Sequence, residues 1–266
     1  MSKTTSNVKT ETGYQLFNRI HLRPRLDKLH SAIFTNGPAP NKVIQITGAP
    51  NTGKSMLIAE LIVNTILPKK LSEEFKECSA VLINTDHQIS IIQIIQIAER
   101  KLSMLNIPTE LHQGLVRTSL KKLTILNCYC IRQLEVTILN LEHILSQNID
   151  IALLAIDSLS AHYWYERYAA TFKNENELYS VNKHCVHLLK SLKAIIEDRH
   201  IVTVFSKYET DSSLTTMIDY TVTLKKVDFK NEENKNQFLL ECYDHEKQTK
   251  VVKCYEMETL MLFQIA

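Results

Sequence analysis

The stretch 42–55 constrains this chain more tightly than any other. It runs Lys42-Val43-Ile44-Gln45-Ile46-Thr47 and then Gly48-Ala49-Pro50-Asn51-Thr52-Gly53-Lys54-Ser55. The second half fits the phosphate-loop pattern G-x-x-x-x-G-K-[ST] without a mismatch. Val43, Ile44 and Ile46 predict a short buried strand entering the loop. Met56, Leu57, Ala59, Leu61, Ile62 and Ile66 predict a helix leaving it, limited by Pro68. Strand, Gly-rich loop and helix is the order that phosphate binding needs. Gly48 and Gly53 let the backbone curl so that its N–H groups converge on phosphate oxygens at a helix N-terminus. Lys54 is the expected partner of the β- and γ-phosphates, and the Ser55 hydroxyl the expected ligand of Mg²⁺. The cofactors implied are therefore ATP and Mg²⁺. The bland alternative is a turn with an ordinary helix start.

A chain of 266 residues, 44% hydrophobic and 23% charged, suits one large α/β domain or two small ones. Its net charge of +2 argues neither for nor against a nucleic-acid partner. Basic residues gather near the start: Lys3, Lys9, Arg19, Arg23, Arg25, Lys28 and Lys42 face only Glu11 and Asp27 before residue 43. A solvated arm is the simplest reading of that segment, and a contact with an acidic partner the sharper one. Six cysteines in this length do not make a disulfide scaffold. Cys128 and Cys130 are expected on one face of a strand, as buried thiols rather than a metal site. No apolar run approaches the roughly 20 residues of a membrane span. A reducing compartment, the nucleus or the cytosol, is expected.

Residues 1–40 are expected to form a short arm, polar at first, then two short helices between Tyr14 and Phe34 interrupted by Pro24. Residues 41–266 are expected to form a single domain. Ala80 to Thr85 predicts a second strand ending at Asp86. The isoleucines from Ile89 to Ile97, with Leu102, predict a helix, because they run too long for a strand without turn signals. Strands are predicted from Leu123 to Tyr129, Asp150 to Ile156 and Ile201 to Phe205. Helices are predicted from Ile131 to Leu145, with Leu134, Ile138, Leu141 and Leu145 on one face, and from Glu175 to Asp198. Beyond these, Tyr220–Val227, Gln237–Tyr243, Lys250–Tyr255 and Leu260–Ile265 read as strands joined by polar turns such as 231–236. Alternating strands and helices followed by strands alone predict a mainly parallel central sheet flanked by helices, with a C-terminal antiparallel meander.

A phosphate loop needs a carboxylate partner. Leu153-Leu154-Ala155-Ile156-Asp157 is an apolar run closed by Asp. A strand buried on both faces would deliver Asp157 to the C-terminal sheet edge, where open α/β sheets bind ligands. Asp157 would there hold Mg²⁺ through a water. The alternative is an ordinary strand-end Asp. Two strands intervene between loop and Asp157, which points to ATPases with an additional strand between the loop strand and the Asp strand. Ile201–Phe205 is the candidate for that strand.

The run Leu153-Leu154-Ala155-Ile156-Asp157-Ser158-Leu159-Ser160-Ala161-His162-Tyr163-Trp164 resembles the second nucleotide motif of the RecA-type recombinases, an apolar run followed by Asp-Ser-x-x-Ala-x-Tyr. Val81 to Asp86 resembles that family's strand ending in Ile-Asp-Thr-Glu. Asp86 in the Glu position, Ser160 to Trp164, and Ile66-Leu67-Pro68-Lys69 are most similar to the eukaryotic recombinase paralogues. The resemblance covers about residues 30–206. It implies a RecA-like P-loop ATPase core that works in homologous recombination and double-strand-break repair. It also implies assembly with other paralogues, and assistance to the main recombinase on single-stranded or branched DNA through that complex. The segment before the core is too short for the helical DNA-binding module the family usually carries there.

Departures from the family pattern bear on mechanism. The family Glu that orients the attacking water corresponds to Asp86, one methylene shorter; a misplacement of about 1 Å can cost about a hundredfold in rate. Where the family places Asn-Gln after the fifth strand, this chain has Lys207-Tyr208, and a phenol cannot offer an amide's donor and acceptor together. The segment from Glu209 to Met217 is short and acidic, where the family has its second DNA loop. ATP binding with weak or absent hydrolysis is the expectation. Tyr163, Trp164, Tyr165, Glu166, Arg167 and Tyr168 occupy the place of the first DNA loop, and Arg167 is the candidate phosphate contact. The alternative is that the aromatics pack under the sheet edge and Arg167 pairs with Glu166 or a partner chain. An active P-loop motor or kinase outside DNA repair is the competing function.

Overall fold

Burial on both faces decides the centre of this fold. Strands β1 (Val43–Gly48), β2 (Ser79–Asn84), β4 (Ile151–Asp157) and β5 (Val202–Lys207) are buried at every position. Such strands need helices above and below, and side chains alternate between the two layers. Ile44, Ile46, Ala80, Leu82, Leu153, Ala155 and Val204 enter one core cluster. Val43, Val81, Ile83, Leu154, Ile156 and Phe205 enter the other. The computed structural model describes residues 12–13, 23–31, 33–34, 37–172, 181–197, 199–208, 217–226, 237–258 and 261–264.

The remaining strands are β3 (Leu123–Asn127), β6 (Tyr220–Lys226), β7 (Gln237–Asp244), β8 (Thr249–Glu258) and β9 (Met261–Gln264). Their order is β3-β2-β4-β5-β1-β6-β7-β8-β9 in one nine-stranded sheet. Pairing is parallel from β3 through β6, and antiparallel from β6 through β9. The parallel sheet with a C-terminal meander matches the expected fold class. So does the insertion of β5 between β1 and β4.

Helix α1 (Lys54–Ile66) follows the loop, and every residue in it except Ser55 is buried. A helix apolar nearly all round belongs inside a protein. It ends at Leu67, held extended ahead of Pro68. Helices α2 (Ile91–Met104) and α3 (Thr109–Leu120) cover the same layer. The Ser90 hydroxyl accepts from the Gln93 N–H and caps α2. On the other layer lie α4 (Ile131–Gln147) and α6 (Val181–Ile196), packed against the second core cluster. Leu134, Ile138, Leu141 and Leu145 of α4 are all buried, each worth roughly 2 kcal/mol. Helix α5 (Tyr163–Phe172) follows β4.

Several sequence expectations are corrected. Tyr163–Tyr168, read as a loop, is the start of α5. Nothing in 163–172 breaks a helix, and the Tyr163 N–H is already bonded to the Ser160 carbonyl. Helix α3 was not anticipated, because only His112, Val116 and Ser119 of it are buried and its apolar signal is weak. Cys128 and Cys130 lie past the end of β3, one buried and one exposed, and do not share a strand face. Arg23 is not part of a solvated arm. It is 7% exposed and its guanidinium donates to the carbonyls of Asn148, Ile149 and Ile151 at 2.9, 3.3 and 2.9 Å, and also to that of Leu145. It thereby satisfies carbonyls at the C-terminal end of α4 and before β4. Burial lowers its pKa to about 10. Leu26, Leu29, Ile33 and Phe34 join the α1 core cluster. Of the two helices expected between Tyr14 and Phe34, the first lies outside the described residues, as do the loop 209–216 and the turn 231–236; after Pro24 the described residues form turns rather than a helix, with the Leu29 N–H on the Leu26 carbonyl and the Ile33 and Phe34 N–H groups on that of His30. No helix among the described residues is long and apolar enough to cross a membrane.

One charged pair sits inside the first layer. Glu60 of α1 accepts from the Lys101 Nζ of α2 at 2.8 Å, with both residues buried and His30 3.7 Å from the same carboxylate oxygen. Removing one member leaves a charge without compensation, which costs far more than exchanging both for apolar residues. Lys101→Met is expected to destabilise the chain by about 3–5 kcal/mol in urea unfolding, and Glu60→Met/Lys101→Met to recover most of that loss.

Candidate nucleotide site

Four parallel strands end at the same edge, and each delivers one part of the site. β1 runs into the loop 48–55, β2 into Thr85 and Asp86, β4 ends at Asp157, and β5 ends at Ser206 and Lys207 before Tyr208. The register aligns Asn84 with Asp157 and Thr47 with Lys207. Beyond the strands, the N–H groups of Thr85 and Asp86 both donate to the Asp157 carbonyl, at 2.8 and 3.0 Å. The Thr85 hydroxyl donates to the Ser158 carbonyl at 2.6 Å. Asp86 is thereby fixed beside Asp157 by backbone geometry.

The loop needs both its glycines. Gly48 has φ 152° and Gly53 has φ 88°. A Cβ on Gly48 would lie 2.3 Å from the Leu224 carbonyl oxygen of β6 and 2.8 Å from the Thr52 hydroxyl. That hydroxyl donates to the Ala49 carbonyl at 2.8 Å and braces the turn. Pro50 and Asn51 form its exposed outer corner, Asn51 with φ 60°. Gly53 is the N-cap of α1, and Lys54 and Ser55 open the helix. The Lys54 Nζ donates to the carbonyls of Gly48 and Ala49, at 3.0 and 2.7 Å.

Asp157 is 1% exposed. One carboxylate oxygen accepts from the Ser206 hydroxyl, and the other has no hydrogen-bond partner. Burial pushes this carboxyl above its usual range, against the pull of the Ser206 and Ser55 hydroxyls and of Lys54. Burial likewise lowers the Lys54 amine, against Asp157 and Asp86. Each group is desolvated further than its protein partners repay, the pattern of a site shaped for charges the chain does not itself carry. An orphaned carboxylate oxygen beside a hydroxyl is the hard-oxygen donor set that suits Mg²⁺. Lys54 with the N–H groups opening α1 suits phosphate. The residues present therefore fit Mg²⁺ and a nucleotide phosphate chain. Among the described residues no group of three or more His, Cys, Asp or Glu could hold a metal.

Tyr208 completes the edge. Its N–H donates to the Ser160 hydroxyl at 3.3 Å, and its own hydroxyl donates to the Asp86 carboxylate. Its ring centroid lies 5.3 Å from the Lys54 Nζ. Burial and the bond to Asp86 raise its pKa far above that of an ordinary phenol. Lys207 is wholly buried in β5. Arg167 is exposed on α5, its guanidinium 5.4 Å from the Trp164 ring centroid and donating to the Tyr163 hydroxyl at 3.3 Å. Tyr163 is buried, while Trp164, Tyr165 and Tyr168 are exposed. Of Tyr163 and Trp164, the two expected in the alternative reading to pack under the sheet edge, only Tyr163 is buried.

The sequence reading missed Ser206, Ser160 and Thr85. A small hydroxyl residue at a strand end next to the Asp strand is a weak signal, and only the strand order makes it one.

No family model matches the chain. The mouse DNA repair protein XRCC2 is 27% identical over 161 residues, which cover 60% of this chain and 55% of XRCC2. The chain thus spans about half the length of that relative. The crystal structure of the RadB recombinase superposes with a TM-score of 0.63 at 14% identity, covering 90% of this chain and 97% of RadB. At that identity the likeness is one of fold.

Gly48→Ala forces the loop away from β6 and is expected to destabilise the chain by at least about 2 kcal/mol on thermal or urea unfolding. Gly114→Ala is the control. It lies inside α3 with no heavy atom within 4 Å of the added Cβ, and should stabilise by up to about 1 kcal/mol.

In sequence the chain is thus similar to a DNA repair protein, XRCC2, and in fold to the RadB recombinase.

Proposed function

We propose that this chain is a nucleotide-binding subunit of a recombinase paralogue complex that serves homologous recombination and double-strand-break repair. In this reading residues 41–266 are the RecA-like unit, and residues 1–40 an accessory arm laid in part against α1. The observation that carries the nucleotide half is the buried Asp157 carboxylate with its orphaned oxygen, set beside Ser55 and Lys54. The likeness to a DNA repair protein supports the biological half.

The loop residues 48–55 hold the phosphates by backbone N–H groups and Lys54, and Ser55 and Asp157 hold Mg²⁺. The metal neutralises phosphate charge when bound. Hydrolysis is weak for two reasons. Asp86 is a methylene shorter than the glutamate it stands for, and its carboxylate is engaged by the Tyr208 hydroxyl. A bound nucleotide then fixes the conformation of the C-terminal sheet edge and of the surfaces continuous with it, rather than driving repeated turnover. Other paralogues are the direct partners, and single-stranded or branched DNA is reached through the complex, with Arg167 as this chain's candidate phosphate contact. The nucleus is the expected place of action.

Co-purification from cells compares the intact chain with Lys54→Ala. The intact chain is expected to bring down recombinase paralogues, and Lys54→Ala to lose most of them. An intact chain that recovers no recombination protein contradicts the proposal. Unchanged partners in Lys54→Ala would leave the assembly standing and remove nucleotide from its mechanism.

A further inference from the structure

Tyr208 links the two groups that a terminal phosphate would engage. Its hydroxyl is on Asp86 at the end of β2, its ring faces the Lys54 ammonium at the start of α1, and its backbone is tied to Ser160 after β4. The Lys54 Nζ is meanwhile held by the Gly48 and Ala49 carbonyls. A phenol donating to an ionised carboxylate makes one of the stronger side-chain hydrogen bonds. Here it joins the ends of β2, β4 and β5 to the start of α1. The hydroxyl reaches Asp86 and the ring lies 5.3 Å from the Lys54 Nζ, so the side chain covers both groups that the nucleotide reading assigns to a third phosphate. A diphosphate held by the loop N–H groups and Lys54 does not extend to Asp86.

We propose that Tyr208 is an intramolecular cap which selects against nucleoside triphosphates, so that ATP binds only when the Tyr208–Asp86 hydrogen bond opens. The inference rests on the nucleotide reading of the loop given above. It assigns a specificity-determining role to a residue that touches neither the loop backbone nor Asp157 in the contacts described. The energetic consequence is simple. The apparent affinity for a triphosphate is lowered by the fraction of molecules with the cap closed, and the affinity for a diphosphate is not.

The test is a double-mutant cycle on binding, read by calorimetry or a fluorescent analogue with Mg²⁺ present. Tyr208→Phe keeps the ring and removes the donor; Asp86→Ala removes the acceptor. Tyr208→Phe is expected to bind ATP at least about fivefold more tightly than the intact chain and ADP within about twofold. Asp86→Ala should also tighten ATP binding, and adding Tyr208→Phe to it should give no further gain, because the bond is already gone. Two results would overturn the cap while leaving the nucleotide reading intact. One is ATP affinity unchanged or weaker in Tyr208→Phe when the intact chain binds ATP. The other is full additivity of the two substitutions. Failure of all four proteins to bind ATP or ADP would overturn the nucleotide reading and the cap with it.

Discussion

The fold places a carboxylate where a carboxylate alone is unstable. Asp157 ends a strand buried on both faces and is itself 1% exposed. Only one of its oxygens is satisfied by a neighbouring hydroxyl. Buried ionised groups are retained when something compensates them, whether a paired charge, hydrogen bonds or a metal. The rest of the edge is built outward from this residue. Its carbonyl receives the N–H groups of Thr85 and Asp86, which fixes the end of β2. Ser206, from the inserted strand β5, supplies the bond to its side chain. Lys54 and Ser55 approach from the loop, and Lys54 is desolvated in its turn. The parallel order β2-β4-β5-β1 makes these meetings possible.

Binding and turnover place different demands on such a site. Binding needs the loop, the lysine, the hydroxyl and the buried carboxylate, all of which converge. Turnover needs in addition a carboxylate free to orient water and a group that responds to the terminal phosphate. On the proposed function those two positions are Asp86 and Tyr208, which are hydrogen-bonded to each other. A short acid engaged by a phenol is poorly placed to act as a base, since general-base catalysis depends on geometry before pKa. This is the basis for proposing that the chain holds nucleotide rather than consuming it.

Much of this fold could be read from sequence because its signals are strong and local. Buried strands such as Ala80–Ile83 and Leu153–Ile156 are continuous apolar runs, and the stretch 42–66 has the order of strand, turn and helix. The additional strand β5 was legible from the spacing between loop and Asp157. Helix α3 was not, because a helix covering the edge of a layer buries few residues and lacks a clear period. Arg23 looked like one of several scattered basic residues, and its role depends on carbonyls more than a hundred positions away. Tyr208 was recognisable as a departure, but its bond to Asp86 joins the ends of strands 122 positions apart. Hydrogen bonds of that kind are set by sheet order, which no local pattern encodes.

The measurement closest to the central claim is titration calorimetry of the purified chain with ATP, in Mg²⁺ and in EDTA, beside Asp157→Asn. One ATP per chain should bind in Mg²⁺, and binding should weaken at least about tenfold on chelation. Asp157→Asn, which keeps the shape and removes the charge, should bind about as weakly in Mg²⁺ as the intact chain does in EDTA. ATP binding that is indifferent to both Mg²⁺ and the Asp157 charge, or no binding by the folded intact chain, would contradict the account.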